Sequence, residues 1–289
     1  MGKRVVVLGG TGKMGRWFAR FLKDRGFDVA IHSRSPERAA EVARELGVGF
    51  ITSIEDVREA DMVLVSTSLA STAAVIRAVS RKLQPNTILF DIASVKGEII
   101  EALHESQARG IRAISVHPMF GPGVTSLEGK RVVVIPIGED AELVEEMTRL
   151  FEGAEIHLLD SGEVHDRAIA FTLSLPHFLN IVFGEALTGA DFMSIRQLAG
   201  TTFALQLTVT EAVYSEDPDL YYTIQRQNKA FLSVLETFLE AVRRAASVIA
   251  RGDQVTFGKS FEAVRSFLTT DPNFADAYDR FYKAYEAIV

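Results

Sequence analysis

The rhythm of hydrophobic and polar positions changes about half-way along the chain. In the first part, short β-branched runs alternate with stretches whose apolar residues recur at helical spacing. Strands that are apolar at almost every position are buried on both faces. The alternation therefore predicts a Rossmann-type α/β domain with a doubly wound, mostly parallel sheet. The predicted strands cover residues 4–8, 28–32, 62–66, 87–91, 113–116 and 131–135, with helices such as 14–24 and 71–82 between them.

After about residue 160 the strand-like runs stop and helical spacing continues to the end of the chain. We therefore expect an α/β domain over residues 1–160 and an all-α domain over residues 161–289. The helical part is rich in phenylalanine, and so much apolar surface predicts a homodimer. Helix caps or breaks are predicted at Asp160 or Ser161, Asp217-Pro218, Gly252-Asp253 and Asp271-Pro272.

Composition and charge exclude several classes of protein. The 289 residues contain no cysteine, which rules out thiolate zinc sites, iron–sulfur clusters and a cysteine nucleophile. We predict no metal site. The 31 Lys and Arg residues against 38 Asp and Glu give a net charge of −7 without a basic stripe, so we expect no nucleic-acid partner.

The most hydrophobic long stretch, residues 168–187, raises the question of a membrane span. Thr172, Pro176 and His177 interrupt it, so we expect a buried helix and no membrane partner. The first residues lack the pattern of a signal peptide, and the expected location is the cytoplasm.

A glycine motif follows the first predicted strand and opens a helix, the context that gives such a motif meaning. Gly10 would permit a tight turn, Gly12 would let the backbone approach a pyrophosphate, and Gly15 would allow close helix packing. The predicted cofactor contacts here are Gly10, Thr11, Gly12, Lys13, Met14 and Gly15, with Thr67 after the strand at 62–66.

The end of the second strand bears on which dinucleotide binds. An NAD site usually places a carboxylate there, whereas this chain has none until Glu37. Arg34, with Ser33 and Ser35, could hold a 2′-phosphate because a guanidinium matches phosphate oxygens. This favours NADP over NAD and leaves NAD open.

Candidate catalytic residues lie where the strands end, since ligands of an open parallel sheet bind beyond the carboxyl ends of its strands. Ser94 follows the strand at 87–91, and His117 follows the strand at 113–116. Pro176 interrupts the apolar helix just before His177, which favours a side chain facing a cleft over a hydrogen-bonded core histidine. His104 lies on a predicted polar helix and His157 on a late predicted strand, and we assign no role to either.

These residues carry a resemblance to a known family. The segments HPMFGP at 117–122, ASVK at 93–96 and SLPHF at 174–178 resemble the prephenate dehydrogenases of tyrosine biosynthesis. The glycine-rich start and the pair His165-Asp166 fit the same pattern. The likeness extends from Gly9 through Asn228 and is strongest to short archaeal members without a mutase or regulatory domain.

The resemblance implies an oxidative decarboxylation of prephenate to 4-hydroxyphenylpyruvate. Hydride would leave the hydroxyl-bearing ring carbon for the nicotinamide, and carbon dioxide would leave across the ring. By this resemblance His117 is the base for the ring hydroxyl, and Ser94 orients that hydroxyl or His117. His177 and Lys96 are substrate contacts. A neutral imidazole also suits the role of base on its own chemistry.

The chain departs from the family pattern at one position. Bacterial members carry an arginine for a substrate carboxylate five residues before the Asp of Asp217-Pro218, and Ala212 stands there. A buried carboxylate still needs a cationic or donor partner, and Arg226 is our first candidate. Arogenate, the aminated analogue, is not excluded as the substrate. Two further readings are another two-domain NADP-linked reductase and a non-catalytic NADP-binding protein.

Overall fold

The computed structural model describes residues 2–288. The structure contains a sheet in which eight strands of the described chain lie in the order β3-β2-β1-β4-β5-β6-β7-β8. All neighbouring strands run parallel except β6 and β7. The strands are β1 Arg4–Leu8, β2 Asp28–His32, β3 Gly49–Phe50, β4 Met62–Val65, β5 Ile88–Asp91, β6 Arg112–Pro118, β7 Arg131–Pro136 and β8 Glu155–Leu158.

Helices connect most of these strands and form the rest of the described chain. Five belong between the strands: α1 Lys13–Asp24, α2 Pro36–Leu46, α3 Leu69–Ser80, α4 Gly97–Gln107 and α5 Ala141–Leu150. The others are α6 Gly162–Ile169, α7 Leu175–Leu187, α8 Phe192–Gln197, α9 Thr201–Tyr214, α10 Pro218–Gln227, α11 Phe231–Ala250, α12 Gln254–Leu268 and α13 Ala277–Glu286. Short 3₁₀ turns cover Ile54–Glu59 and Pro272–Asp276, and a π-helix covers Ala170–Ser174.

Both faces of the sheet are buried, as the apolar strands predicted. Successive strand residues point to opposite faces. Val5 and Val7 of β1 therefore pack in one layer with Phe18 of α1, whereas Val6 packs in the other layer with Ile76 of α3. The predicted α/β class with a mostly parallel sheet is confirmed. It puts the carboxyl ends of β1, β4, β5 and β6 at one edge.

The predicted strands omit β3 at one edge of the sheet and give no bounds for β8 at the other, although His157 is predicted to lie on a late strand. β3 has only two residues, and β8 is half-exposed, so neither shows the run of apolar residues that marks a buried strand. The predicted bounds of the other six strands agree within a residue or two. β1 and β2 match at both ends, and the largest difference is β6, which continues to Pro118.

By contacts between its own residues, the chain divides into two compact units. The first unit comprises the chain up to Ile169 together with Arg226–Lys229, and the second comprises Ala170–Gln225 and the residues from Ala230 on. The sequence put the domain change at residue 160, where strand patterning ends. That position stays a prediction.

The predicted helix boundaries in the later part of the chain are confirmed. The Ser161 hydroxyl accepts a hydrogen bond from Val164 N at the start of α6, and Gly252 ends α11 with a φ of 64°. Three aspartates act in the same way, because their carboxylates accept first-turn N–H groups. They are Asp217 before α10, Asp253 before α12 and Asp271 before the last 3₁₀ turn.

The apolar stretch near residue 170 is less buried than the sequence predicted. Among the described residues, one helical run, Gly162–Leu187, is long and apolar enough by length and composition to cross a membrane, and only 22% of its most apolar window is buried within the chain. Phe171, Leu179 and Val182 are exposed. The helix is therefore only partly buried within a single chain, and the rest of its apolar surface is available for the dimer contact that the sequence predicts.

Candidate active site

The turn between β1 and α1 is built from glycines for reasons internal to the fold. Gly9 has a φ of 81°, and a Cβ there would lie 2.3 Å from Ser66 O. A Cβ on Gly10 would lie 2.5 Å from the Ile31 side chain, and one on Gly15 would lie 2.2 Å from Gly9 O. The motif analysis missed Gly9, whose positive φ makes the turn possible.

Gly12 differs from these glycines because no contact among residues 2–288 requires a glycine there. Its φ is −74°, and the nearest atom to an added Cβ is Gly9 O at 3.4 Å, an ordinary contact. Gly12 is the N-cap of α1, where no side chain caps the helix. The first N–H groups of α1 therefore suit an anion, and the missing Cβ leaves room for it. These features fit a dinucleotide pyrophosphate.

The other residues predicted to contact the dinucleotide differ in their exposure and in their partners within the chain. Thr11 is half-buried and Lys13 is exposed. Met14 is partly buried and packs against the core of the first unit. Thr67 follows β4 and pairs its hydroxyl with that of Thr72 at 3.2 Å. Their contact with a cofactor stays a prediction.

The segment after β2 gives its three predicted residues different environments. The Ser33 hydroxyl donates to Ser35 O, and the Ser35 hydroxyl donates to the Glu37 carboxylate and caps α2 by accepting from Arg38 N. The Ser35 hydroxyl is thus already used as the N-terminal cap of α2. Arg34 is exposed and forms no ion pair with any residue between 2 and 288. Of the three, Arg34 is the side chain best able to meet a phosphate.

A buried lysine holds together the ends of the neighbouring strands β5 and β6. Lys96 is fully buried, and its Nζ donates to Asp91 Oδ2 and to Val116 O, both at 2.8 Å. The other oxygen of Asp91 accepts from the Ser115 hydroxyl at 2.6 Å. The predicted contact between Lys96 and substrate is therefore wrong, because its ammonium is sealed from solvent and already paired. Lys96 instead fixes the loop that carries Ser94.

His117 lies near the end of β6 and is 4% exposed. Its Nδ1 lies 2.8 Å from Nε2 of His165, and Nδ1 of His165 lies 2.8 Å from Oδ1 of Asp166. That carboxylate accepts hydrogen bonds from the backbone N–H groups of Lys96 and Gly97 at the start of α4. Motif analysis gave His165 and Asp166 no role. The adjacent His-Asp pair was the only sequence signal.

Burial sets the charge of both histidines. Desolvation is the main cause that lowers the pKa of His117 well below 6.5, and the charges of His165 and Lys96 lower it further. Desolvation also lowers the pKa of His165, although Asp166 acts in the opposite direction. At neutral pH His117 is therefore an uncharged imidazole, the form that can accept a proton.

Ser94 and the loop after β6 complete this edge. Ser94 is half-buried and forms no hydrogen bond with His117, whose partner is His165. Beyond His117, the Phe120 ring packs on Trp17 of α1 at 5.2 Å, and the Trp17 indole donates to Val124 O. The HPMFGP segment is thus held against the helix that opens at Gly12.

His177 belongs to the second unit, in the first turn of α7 directly after the π-helix. It is half-buried, and its ring meets Tyr221 edge-on at 4.7 Å. Burial lowers its pKa, and its Nδ1 has no hydrogen-bond partner among the described residues. π-helical turns often mark functional sites. This nitrogen is enclosed within the chain, and a contact between His177 and a ligand stays a prediction.

Arg226 lies at the exposed end of α10, in the short segment that belongs to the first unit. It forms no ion pair with any described residue. Two residues further on, Asn228 is buried, and its amide donates to Asp166 O at 2.8 Å. This segment is thus anchored beside Asp166, and the role of Arg226 toward a substrate carboxylate stays a prediction.

The fold and these side chains define a nucleotide-binding α/β unit with a buried histidine and a glycine turn at the same edge of its sheet, followed by helices. Residues 18–159 match the family model "Prephenate dehydrogenase, nucleotide-binding domain", and residues 161–263 match "Prephenate dehydrogenase, dimerization domain". The chain belongs to the prephenate dehydrogenase family, a family of oxidoreductases.

Individual relatives agree with this assignment. A probable arogenate/prephenate dehydrogenase of Methanocaldococcus jannaschii is 30% identical over 91% of this chain, which spans only 60% of that relative's length. A cyclohexadienyl dehydrogenase of Zymomonas mobilis is 27% identical over 87% of this chain and 90% of its own. The fold of the Aquifex aeolicus prephenate dehydrogenase, solved with hydroxyphenyl propionate and NAD+, is similar with a TM-score of 0.77 at 21% identity over 94% of this chain and 99% of that one.

The contrast between two glycines of the turn yields a prediction. Gly12→Ala should keep the melting temperature within a few degrees, because its Cβ has room, but should weaken binding of the dinucleotide, whether NADPH or NADH, at least about 10-fold by blocking the pyrophosphate. Gly15→Ala should instead lower the melting temperature, since its Cβ would overlap Gly9 O. Thermal melting and titration of NADPH or NADH fluorescence measure both effects. Unchanged affinity for the dinucleotide in Gly12→Ala would contradict the assignment.

Proposed function

We propose that this protein oxidatively decarboxylates prephenate to 4-hydroxyphenylpyruvate, using NADP in preference to NAD. One observation carries the proposal. A neutral, buried histidine and a glycine turn with room for a pyrophosphate lie at the carboxyl ends of β6 and β1, at the same edge of one sheet. The family to which the chain belongs supports the same reaction class.

The chain's own residues would then divide the work of proton transfer and binding. His117 accepts the proton of the ring hydroxyl as the C–O bond becomes a carbonyl, a contribution of roughly 10²–10⁴ in rate for a positioned base. Ser94 donates to that hydroxyl oxygen from the neighbouring loop. His177 and Arg226 are the groups we propose for the polar ends of the substrate.

Gly12 and the start of α1 would hold the pyrophosphate of the dinucleotide, and Arg34 would hold its 2′-phosphate. A bound nicotinamide would supply the acceptor for the hydride of the hydroxyl-bearing carbon. The carboxylate would then leave as carbon dioxide, its bonding electrons would complete the aromatic ring, and the former carbonyl oxygen would take back the proton from His117 to give the phenol. Aromatisation makes this loss favourable, so the protein needs only to bind, orient and deprotonate.

Steady-state rates with prephenate and arogenate, each with NADP and NAD, test the activity. We expect turnover with prephenate, and a fall in kcat of at least about 100-fold in His117→Asn with little change in KM, because the base is lost and the binding groups remain. His104→Asn, an exposed histidine on α4, is the control. No turnover with either substrate would reject the proposal, and a preference for arogenate would change the substrate.

The preference for NADP depends on Arg34. Arg34→Ala should weaken NADP binding by roughly 10- to 100-fold, since hydrogen bonds to charged groups contribute about 1.5–3 kcal/mol, and should leave NAD binding unchanged. Arg38→Ala is a matched control, because Arg38 is also exposed and pairs with Glu41. Equal losses for both dinucleotides would contradict a 2′-phosphate contact.

We also propose a homodimer built on the helices after Ala170. An open cavity of 1040 Å³ between α11 and α12 is lined by apolar side chains that include Phe257, Phe261, Val264 and Leu268, all exposed in the single chain. Exposed apolar surface of this extent supports contact with a second copy, as does the match of residues 161–263 to a dimerization domain.

Sedimentation analysis should give twice the chain mass of 31.8 kDa. Phe261→Asp should shift the equilibrium toward the monomer, because it buries a charge in an apolar contact. Phe50→Asp, at a similarly exposed phenylalanine of the first unit, should not. A monomeric wild type would contradict the dimer.

A further inference from the structure

Hydrogen-bond distances join three side chains of the first unit in a row, from Asp166 through His165 to His117. We propose that Asp166, acting through His165, fixes the tautomer of His117, so that Nδ1 carries the proton and Nε2 is free to accept one. The tautomer itself follows from this chain alone. Its use toward a substrate hydroxyl rests on the proposed function.

The row begins at a carboxylate that can only accept. Lys96 N lies 2.9 Å from Asp166 Oδ1, and Gly97 N lies 3.1 Å from Oδ2. Both N–H groups belong to the start of α4, where the helix dipole stabilises negative charge. An ionised carboxylate suits these donors, and it has no proton to offer to His165.

The second member, His165, must therefore donate through Nδ1 to Asp166. Its side chain is 1% exposed, and burial opposes a second proton on the ring. In the neutral imidazole one nitrogen donates and the other accepts. The proton on Nδ1 thus leaves a lone pair on Nε2 of His165.

The third member, His117, faces that lone pair. Since Nε2 of His165 accepts, Nδ1 of His117 must donate across the 2.8 Å that separates them. Nε2 of His117 then carries the lone pair, and it forms no hydrogen bond to any residue between 2 and 288. A histidine without such a partner exchanges between two tautomers, of which only one is a base at Nε2.

Lys96 affects the charge of this row without entering it. Its ammonium donates hydrogen bonds to Asp91 and to Val116 O. Its positive charge nevertheless lowers the pKa of both histidines. Asp91 and Asp166 act on His165 in the opposite direction. With burial added, both rings stay neutral, which the tautomer argument requires. Asp166 and His165 are therefore positioning residues, and His117 is the catalytic one.

Replacing Asp166 by asparagine should reverse every bond of the row. The amide oxygen would accept from Lys96 N or Gly97 N, and the amide nitrogen would donate to Nδ1 of His165. The proton of His165 would then reside on Nε2 and be donated to Nδ1 of His117. His117 would carry its own proton on Nε2, where the hydroxyl proton has to go.

Nitrogen-15 NMR of histidine-labelled protein reads these tautomers directly and needs no substrate. The His117 signals are assigned from their loss in His117→Asn. We expect the Nδ1–H form of His117 in the wild type and in the Asp160→Asn control, an exposed aspartate of the same unit, and the Nε2–H form in Asp166→Asn. Wild-type His117 in the Nε2–H form, or an unchanged tautomer in Asp166→Asn, would overturn the proposal.

Steady-state kinetics separate this role from a loss of structure, because only kcat should fall while KM and cofactor affinity are kept. Asp166→Asn should lower kcat strongly, toward the about 10⁴-fold seen when the aspartate of a Ser-His-Asp triad becomes asparagine, with KM and NADPH affinity nearly kept. His165→Gln should retain more activity, because its amide oxygen can still accept from Nδ1 of His117. Activity in Asp166→Asn equal to the wild type would also overturn the proposal.

The two proposals fail in different ways. Tautomers as expected together with no turnover on prephenate or arogenate would reject the proposed reaction and leave the positioning role intact. Turnover of prephenate by a wild type whose His117 carries its proton on Nε2 would support the proposed reaction and reject the positioning role of Asp166.

Discussion

The ion pair between Lys96 and Asp91 is the interaction on which this edge of the sheet depends. Both side chains are fully buried, and breaking such a pair by removing one partner costs about 3–5 kcal/mol. The lysine also donates to Val116 O, so one ammonium joins the end of β5, the end of β6 and the loop between β5 and α4. Its own backbone N–H then holds Asp166. This anchor thus links the strand that carries His117 to the carboxylate at the start of the row.

The parallel sheet brings the glycine turn and the histidine together at one edge. Because β1, β4, β5 and β6 end at one edge, a turn that suits an anion and a histidine that suits a proton lie at the same edge without any long connection. The loop after β6 packs on α1 through Phe120 and Trp17, which links the histidine segment to the helix that opens at Gly12. One helix therefore serves both halves of the site.

Sequence reasoning succeeded where a residue's location depends on its position along one strand. It placed His117 and Ser94 at strand ends and the glycines in the first turn, because period and order suffice for that. It failed where a role depends on burial. The sequence predicts that Lys96 contacts the substrate, and only the packing shows that its ammonium is buried and already paired. His165 is 48 residues from His117, and no spacing rule connects two such positions.

The sequence by itself determined the class of fold and the bounds of six of the eight described strands through its apolar pattern, and the main helix caps through its Ser, Asp and Gly residues. These features depend on local periodicity and on side chains that bond within one turn. Tertiary structure alone decided which groups are paired, which are neutral and which remain free. It paired Lys96 with Asp91, made His165 the partner of His117, and left Gly12 as the one glycine of its motif that no internal contact explains. The physical reason is that charge state and hydrogen-bond direction depend on desolvation and on neighbours brought together from distant parts of the chain.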